Sequence, residues 1–217
     1  MTVVQQFLVG GFDNNCTYIC MDQKTSHAVV VDPTGNLEDV HRFLKDQNYT
    51  LQAIWLTHTH PDHTDGLAEI RSQYGALPIY VHADGIPALS ATADVRPIYD
   101  RTELTIGEQR WMVWHTPGHS TDSVCFWHPS TVTNPQSELL TGDTLFVRGC
   151  GRTTHTEAAK LHASLKLLTT LPDATTIYPG HNYGPHPTST IGKEKQHNPY
   201  LQTTELSTFL QLRFPDD

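Results

Sequence analysis

Residues 53–65 read Ala53-Ile54-Trp55-Leu56-Thr57-His58-Thr59-His60-Pro61-Asp62-His63-Thr64-Asp65, and the rest of the chain is best read outward from them. The apolar run Ala53 to Thr57 is a buried strand, and four groups with metal-ligand chemistry follow it directly. His58 and His60 stand two apart, so in extended backbone both imidazoles leave from one face. Pro61 ends the strand and turns the chain, which sets Asp62 and His63 just ahead of a helix. Asp65 is the expected cap of that helix, which carries Leu67, Ile70 and Tyr74 and stops at Gly75.

Around this segment the pattern alternates strand-like and helix-like stretches. Val3 to Leu8, Cys16 to Met21 and Ala28 to Val31 read as strands, with turns at Asp13-Asn14-Asn15 and Asp32-Pro33. Leu37, Val40, Phe43 and Leu44 recur at helical spacing, in a helix that ends near Gln47. Further strands are expected at Pro78 to Val81, Trp111 to His115, Ser123 to Trp127, Glu138 to Thr141 and Thr175 to Tyr178. A helix from Glu157 to about Thr169 buries Leu161, Leu165 and Leu168, and the last fifth is helical around Gly192 to Gln196 and Leu201 to Leu210. Ala83 to Thr105 shows turn residues and little periodicity, and reads as a surface excursion over one edge. The result is an α/β chain: mixed sheet in two layers, with helices outside. We expect one domain over residues 1–217, with 199–217 as a short helical tail.

Three more candidate ligands stand in the same relation to a strand. Trp111 to His115 leads to Pro117-Gly118-His119, Glu138 to Thr141 leads to Gly142-Asp143, and Thr175 to Tyr178 leads to Pro179-Gly180-His181. Each time a glycine precedes the ligand type, which allows close backbone approach. In open α/β sheets, functional groups gather beyond the carboxyl ends of strands. Five imidazoles and two carboxylates exceed the three or four ligands of one zinc site and suit two adjacent metals. His58, His60 and His119 would hold one ion and Asp62, His63 and His181 the other, with Asp143 spanning both. Such a pair can share a water, lower its pKa toward neutrality and polarise a carbonyl. The chemistry implied is acyl hydrolysis, with Asp62 and Asp143 as the catalytic carboxylates. The metals are expected to be zinc, although imidazole and carboxylate suit iron and manganese as well.

Composition supports a cation site. The 217 residues include 14 histidines, roughly three times the usual share. Lys and Arg number 14 against 23 Asp and Glu, a net −9 with histidine neutral, which lacks the basic footprint of a nucleic-acid binder. No run approaches the length of a membrane span, and Met1 to Gly10 has no cationic leader. Cys16, Cys20, Cys125 and Cys150 form no CxxC pair and read as reduced thiols, so a cytoplasmic location is expected. No Gly-x-Ser-x-Gly elbow occurs, and Cys150 has no acidic or basic neighbour that would make it a nucleophile. Trp111 and Trp114 read as core; His82, His115, His155, His186 and His197 read as loop or core histidines.

With these seven residues in this order, the sequence resembles the metallo-β-lactamase superfamily, and within it the glyoxalase II (hydroxyacylglutathione hydrolase) and persulfide dioxygenase branch. The run Thr141-Gly142-Asp143-Thr144-Leu145-Phe146-Val147-Arg148-Gly149-Cys150-Gly151-Arg152 is similar to the stretch around that branch's bridging aspartate. The resemblance implies an αββα sandwich with two metals at one edge and a small glutathione thioester as substrate. Aspartate at position 143 argues against a true β-lactamase, and the acidic balance argues against RNA-processing members. Arg152 and Tyr183 occupy the positions that bind glutathione in glyoxalase II. Two departures stand out: the chain lacks the full C-terminal helical domain of the long enzymes, and Thr154 replaces an aromatic. The segment Ser189 to Pro199 resembles the ending of short bacterial glyoxalase II-like proteins. The rival reading within the branch is a mononuclear iron persulfide dioxygenase using His58, His119 and Asp143. That group usually carries an acidic residue and an aromatic where Thr154 and His155 stand.

Overall fold

The computed structural model describes residues 3–89, 94–132 and 134–216. The first of its two six-stranded sheets comprises β1 (Val4–Gly10), β2 (Asn15–Asp22), β3 (His27–Val31), β4 (Thr50–Trp55), β5 (Ile79–His82) and β6 (Val95–Ile98), in that spatial order. β1 to β3 pair antiparallel, and β3 to β6 run parallel. Parallel pairing needs crossover connections, supplied here by α1 (Glu38–Asp46) and α2 (Leu67–Tyr74). The second sheet contains β7 (Glu103–Ile106), β8 (Gln109–His115), β9 (Val124–His128), β10 (Glu138–Gly142), β13 (Thr176–Pro179) and β14 (Ser189–Thr190), ordered β14-β13-β10-β9-β8-β7. Between β10 and β13 come a small hairpin, β11 (Leu145–Phe146) and β12 (Gly149–Cys150), and the crossover helix α3 (Ala158–Leu168). The chain ends in α4 (Ile191–His197), α5 (Pro199–Gln202) and α6 (Leu206–Arg213).

Side-chain alternation turns these sheets into four layers. In β2 to β4, Tyr18, Cys20, Val29, Val31, Ala53 and Trp55 face Trp111, Val113, Phe126 and Leu140 of the second sheet. The intervening Ile19, Met21, Ala28, Val30 and Ile54 point the other way, onto Val40 and Leu44 of α1 and Ile70 of α2. On the far side of the second sheet, Trp114, Cys125, Leu139 and Ile177 pack against Leu161, Leu165 and Leu168 of α3. Leu201 and Phe209 join that outer layer, so the terminal helices are packed against the sandwich. Strands buried on both faces read as unbroken apolar runs, and β2 and β3 do so. Trp111 and Trp114 are buried, and the four cysteines are free and buried. Among the described residues no helix is long and apolar enough to cross a membrane.

Three local expectations are corrected. The segment Ala83 to Thr105 does not merely pass over an edge: it supplies the edge strand of each sheet, β6 beside β5 and β7 beside β8. Both are four residues long, and β6 carries Arg96 and Pro97, tolerated at an edge because an edge strand leaves some donors unpaired. Residues 90–93 of that segment lie outside the described residues. Asp65 does not cap α2; it accepts a hydrogen bond from the Gly35 N–H at 3.2 Å, and Gly66 takes the cap position. The stretch Leu201 to Leu210 is not one helix but parts of α5 and α6.

Glu138 of β10 is a carboxyl at 2% exposure, with the Tyr178 hydroxyl donating to its Oε1 at 3.4 Å. Burial pushes its pKa from 4.5 up to about 7, against the opposing Val3 backbone and Tyr178 hydrogen bonds. The folded state therefore keeps a proton that the unfolded chain releases between these values, and stability from this group falls as pH rises through that window. Glu138→Gln is expected to flatten the decline, melting at a higher temperature than the wild type at pH 8 and close to it at pH 4. Thermal unfolding of both proteins across that range checks the crossover.

Candidate metal centre

The ligand-type residues sit where strands of both sheets run out at one edge of the sandwich. β4 leads to His58 and His60, and the 3-10 turn Pro61–His63 follows immediately. The β8–β9 connection carries His119, the exit of β10 carries Asp143, and the exit of β13 carries His181. Asn15 forms an isolated bridge with His181, which joins the sheets at this edge. Gly180 has no room for a side chain, since a Cβ there would stand 2.3 Å from Asp143 Oδ1.

Donor atoms converge as two triangular sets. In the first, His60 Nδ1 lies 3.1 Å from His58 Nε2 and 3.0 Å from His119 Nε2. In the second, His63 Nε2 and His181 Nε2 are 3.3 Å apart, and Asp62 Oδ2 is 3.7 Å from the former and 3.4 Å from the latter. A tetrahedral zinc with bonds near 2.0–2.1 Å has ligand–ligand edges of about 3.4 Å, so both sets have the size of a metal's coordination face. Asp143 reaches both: Oδ2 lies 3.4 Å from His119 Nε2 and 3.2 Å from His181 Nε2, while Oδ1 lies 3.4 Å from His63 Nε2. Asp143 is 7% exposed, and its Oδ1 has no partner among the described residues beyond the 3.4 Å approach of His63 Nε2.

The far side of each ring explains why these atoms are free to ligate. His63 Nδ1 is 3.0 Å from Asp32 Oδ2, His181 Nδ1 is 2.7 Å from the Asp13 carbonyl, and His119 Nδ1 is 2.9 Å from the Arg152 carbonyl. The Thr57 hydroxyl donates to Asp32 Oδ2 at 2.6 Å, so it accepts from His58 Nδ1, 3.1 Å away. Each of these four rings therefore donates outward and turns a bare Nε2 lone pair inward, whereas His60 presents its Nδ1. Lone pairs facing one another at about 3 Å repel unless a proton or a cation lies between them. Without a cation, protons do this work. Burial opposes charge on His63 and His181, but Asp143 bonds to both and Asp32 to His63 as well, so both pKa values are raised. Burial would also raise Asp143, but the bonds from His181 and His63 hold it well below the ordinary carboxylate range. Burial, then the charge of His63, drives His58 well below its usual value. This donor set, with five imidazoles and two carboxylates facing inward, fits two divalent ions.

Several orienting residues carry no signal of their own in the sequence. Asp32, read there only as a turn residue before Pro33, is 1% exposed and accepts from the Thr57 N–H, the Thr57 hydroxyl and His63. Asn15 donates its amide to the Asp62 carbonyl at 3.0 Å and to Asp62 Oδ2 at 3.2 Å. Arg152 and Tyr183 line a cleft of about 170 Å³ together with Asp62, His119, Asp143 and His181. Tyr183 is half-exposed, stacks on His181 with ring centroids 4.7 Å apart, and donates its hydroxyl to Asp13 at 2.5 Å. Burial pushes the Cys150 thiol up to about 12, which suits an inert core residue. His82 and His115, read as bland, form a further His/Asp group with Asp84. Their rings stack face to face, 3.9 Å apart and 9° from parallel, so the ring lone pairs run side by side rather than meeting.

Asp32→Ala would leave a buried imidazole N–H, a hydroxyl and an amide without their acceptor. An ion held by Asp62, His63 and His181 should then bind about 10–100-fold more weakly. Chelator competition followed by elemental analysis reads this as a loss of metal at the wild-type chelator concentration.

A model of the metallo-beta-lactamase superfamily matches residues 9–181. A probable hydroxyacylglutathione hydrolase of Schizosaccharomyces pombe is 32% identical, with 94% of this chain and 90% of that protein covered. A hydroxyacylglutathione hydrolase of Chromohalobacter salexigens is 30% identical over 89% of this chain and 85% of its own. Among solved structures, ETHE1 from Myxococcus xanthus superposes with a TM-score of 0.80 at 30% identity, covering 98% of this chain and 90% of that one. With the four-layer architecture and the ligand-bearing strand ends, these matches establish that the chain belongs to the metallo-beta-lactamase superfamily.

Proposed function

We propose that this protein is a dinuclear metal-dependent thioester hydrolase, glyoxalase II-like, acting on a hydroxyacyl glutathione or a close relative of it. The observation that carries the reading is the pair of complete donor triangles joined by Asp143. Relatives named hydroxyacylglutathione hydrolase over most of the chain support the substrate class. His58, His60 and His119 would hold one ion and Asp62, His63 and His181 the other, with Asp143 within reach of both sets. Zinc suits these ligands best, and iron or manganese are compatible. When bound, the two ions lower the pKa of a shared water and polarise the thioester carbonyl.

The protein's own residues do the rest. Asp62 and Asp143 border the cleft and keep two carboxylates beside the reacting water. Water adds to the carbonyl carbon, the C–S bond breaks with its electron pair on sulfur, one water proton goes to that sulfur to give the thiol, and the other is released to solvent as the acid product ionises to a carboxylate. Beside the metal cleft opens a second one of about 480 Å³, which shares Asp13, Phe146, Arg152 and Tyr183 and adds Arg148 and Arg213. Three arginines among its lining residues suit a leaving thiol that carries carboxylates. Arg152 and Tyr183 are the substrate contacts nearest the metals.

The structural likeness to ETHE1 favours a second reading, the mononuclear iron persulfide dioxygenase on His58, His119 and Asp143. That chemistry leaves the Asp62–His63–His181 triangle without a role. Protein purified without added metal is expected to hold about two ions per chain and to hydrolyse a 2-hydroxyacyl glutathione. Asp143→Ala should lose at least about 100-fold in turnover, together with metal. One iron per chain, with oxygen consumed on glutathione persulfide and no thioester cleavage, overturns the proposal.

A further inference from the structure

Beyond the end of β4, His58 and His60 turn their imidazoles toward one another, while the Thr59 hydroxyl between them bonds elsewhere. Its partner there is Asp122, a carboxylate at 4% exposure. Asp122 Oδ2 accepts from the Thr59 N–H and from the Thr59 hydroxyl, each at 2.8 Å. This repeats, one residue pair along, what Asp32 does for Thr57: a buried carboxylate takes both the amide and the hydroxyl of a threonine flanking His58. Hydrogen bonds to an ionised acceptor are about twice as strong as neutral ones.

Asp122 belongs to the β8–β9 loop, the same loop that presents His119. That loop is closed on itself. The Ser120 N–H donates to Ser123 Oγ at 3.2 Å, and His115 Nε2 donates to the Thr121 carbonyl at 2.8 Å. Behind the Asp122–Thr59 pair stands Gly85 of the 3-10 turn Ala83–Ala88. A Cβ on Gly85 would fall 2.6 Å from Asp122 Oδ2 and 2.9 Å from the Thr59 methyl. The backing element thus lacks a side chain where the carboxylate sits, and Asp122 is packed between it and Thr59.

We propose that Asp122 is a positioning residue of the first metal set, the clamp that holds the His58–His60 strand exit in register with the loop bearing His119. No other described side chain hydrogen-bonds Thr59, and apart from His119, whose Nε2 meets His60, Asp122 is the side chain of this loop that reaches the turn. The clamp acts on three ligands at once, because it joins the two loops that carry them. The inference rests on the reading of His58, His60 and His119 as ligands.

The test is stepwise zinc affinity by chelator competition, with the visible spectrum of the cobalt-substituted protein as a second readout. Asp122→Ala is expected to weaken one of the two zinc steps by about 10–100-fold and to change the cobalt spectrum. The other step should stay within about threefold, and Asp122→Asn, whose amide oxygen still accepts, should recover most of the loss. Wild-type affinities and spectrum in Asp122→Ala, whatever its melting temperature, overturn the proposal, and so does equal weakening of both steps. If Asp122→Ala does not fold, Thr59→Val removes one of the two hydrogen bonds while keeping the branched shape. An intermediate weakening of the same step then supports the clamp, and no change overturns it. Because metal binding is read without substrate, a chain that hydrolyses no thioester but loses the step in Asp122→Ala fails the hydrolase reading and keeps this one.

Discussion

Imidazole lone pairs aimed at one another across about 3 Å are a repulsive arrangement, and much of this molecule exists to enforce it. A ring can be held that way only if its other nitrogen is committed elsewhere and the backbone on both sides cannot relax. The far nitrogens of His58, His63, His119 and His181 go to the Thr57 hydroxyl, Asp32, the Arg152 carbonyl and the Asp13 carbonyl. Those acceptors come from distant parts of the chain, so the arrangement needs the whole sandwich. The two inner faces supply the rigidity: Trp55 packs on Phe126 with centroids 5.0 Å apart, and edge-on to Trp111. This aromatic contact fixes β4 against β9 and β8, and thereby the exits that carry His58, His60 and His119.

The C-terminal helices take part in the same enforcement. Asn198, fully buried, donates its amide to the carbonyls of Phe146 and Gly149, while Glu194 accepts from the Arg148 N–H at 2.7 Å. These bonds shape the loop from Phe146 to Arg152, whose last carbonyl orients His119. A segment that reads as a tail therefore reaches the centre through two hydrogen-bonded steps. The same loop brings Arg148 and Arg152 to the cleft beside the donor set, so one anchoring network shapes both the donor geometry and the wall of the proposed substrate cleft.

The sequence displays the ligand-type residues because each follows an apolar strand and stands near glycine or proline, a pattern visible without tertiary information. The four layers were legible too, since strands buried on both faces read as unbroken apolar runs. The orienting groups were not. Asp32 before proline and Asn15 after Asp13-Asn14 already have a local explanation as turn residues, and a turn residue gives no sign of what its side chain touches. Thr57, Thr59 and Asp122 are ordinary residues whose meaning comes from partners as many as 63 positions away. The edge strands β6 and β7 escaped because four residues, one of them proline in β6, are too few to set a period.

What these orienting groups hold bears on how many ions the site takes. Burying a carboxylate is costly unless several donors satisfy it. This chain buries Asp32 and has it accept from His63, a member of the second triangle, while Asn15 spends its buried amide on Asp62 of the same set. The Asp13 carbonyl serves His181, the third member. Every ligand of the second triangle thus has its own support, as His58 and His119 do in the first. A single-ion chemistry would leave the buried Asp32 and Asn15 and the Asp13 carbonyl aligning donors that bind nothing, with Asp143 Oδ1 facing His63 to no purpose. Because all three members of the second triangle are supported in this way, the dinuclear reading accounts for more of this structure than the mononuclear one.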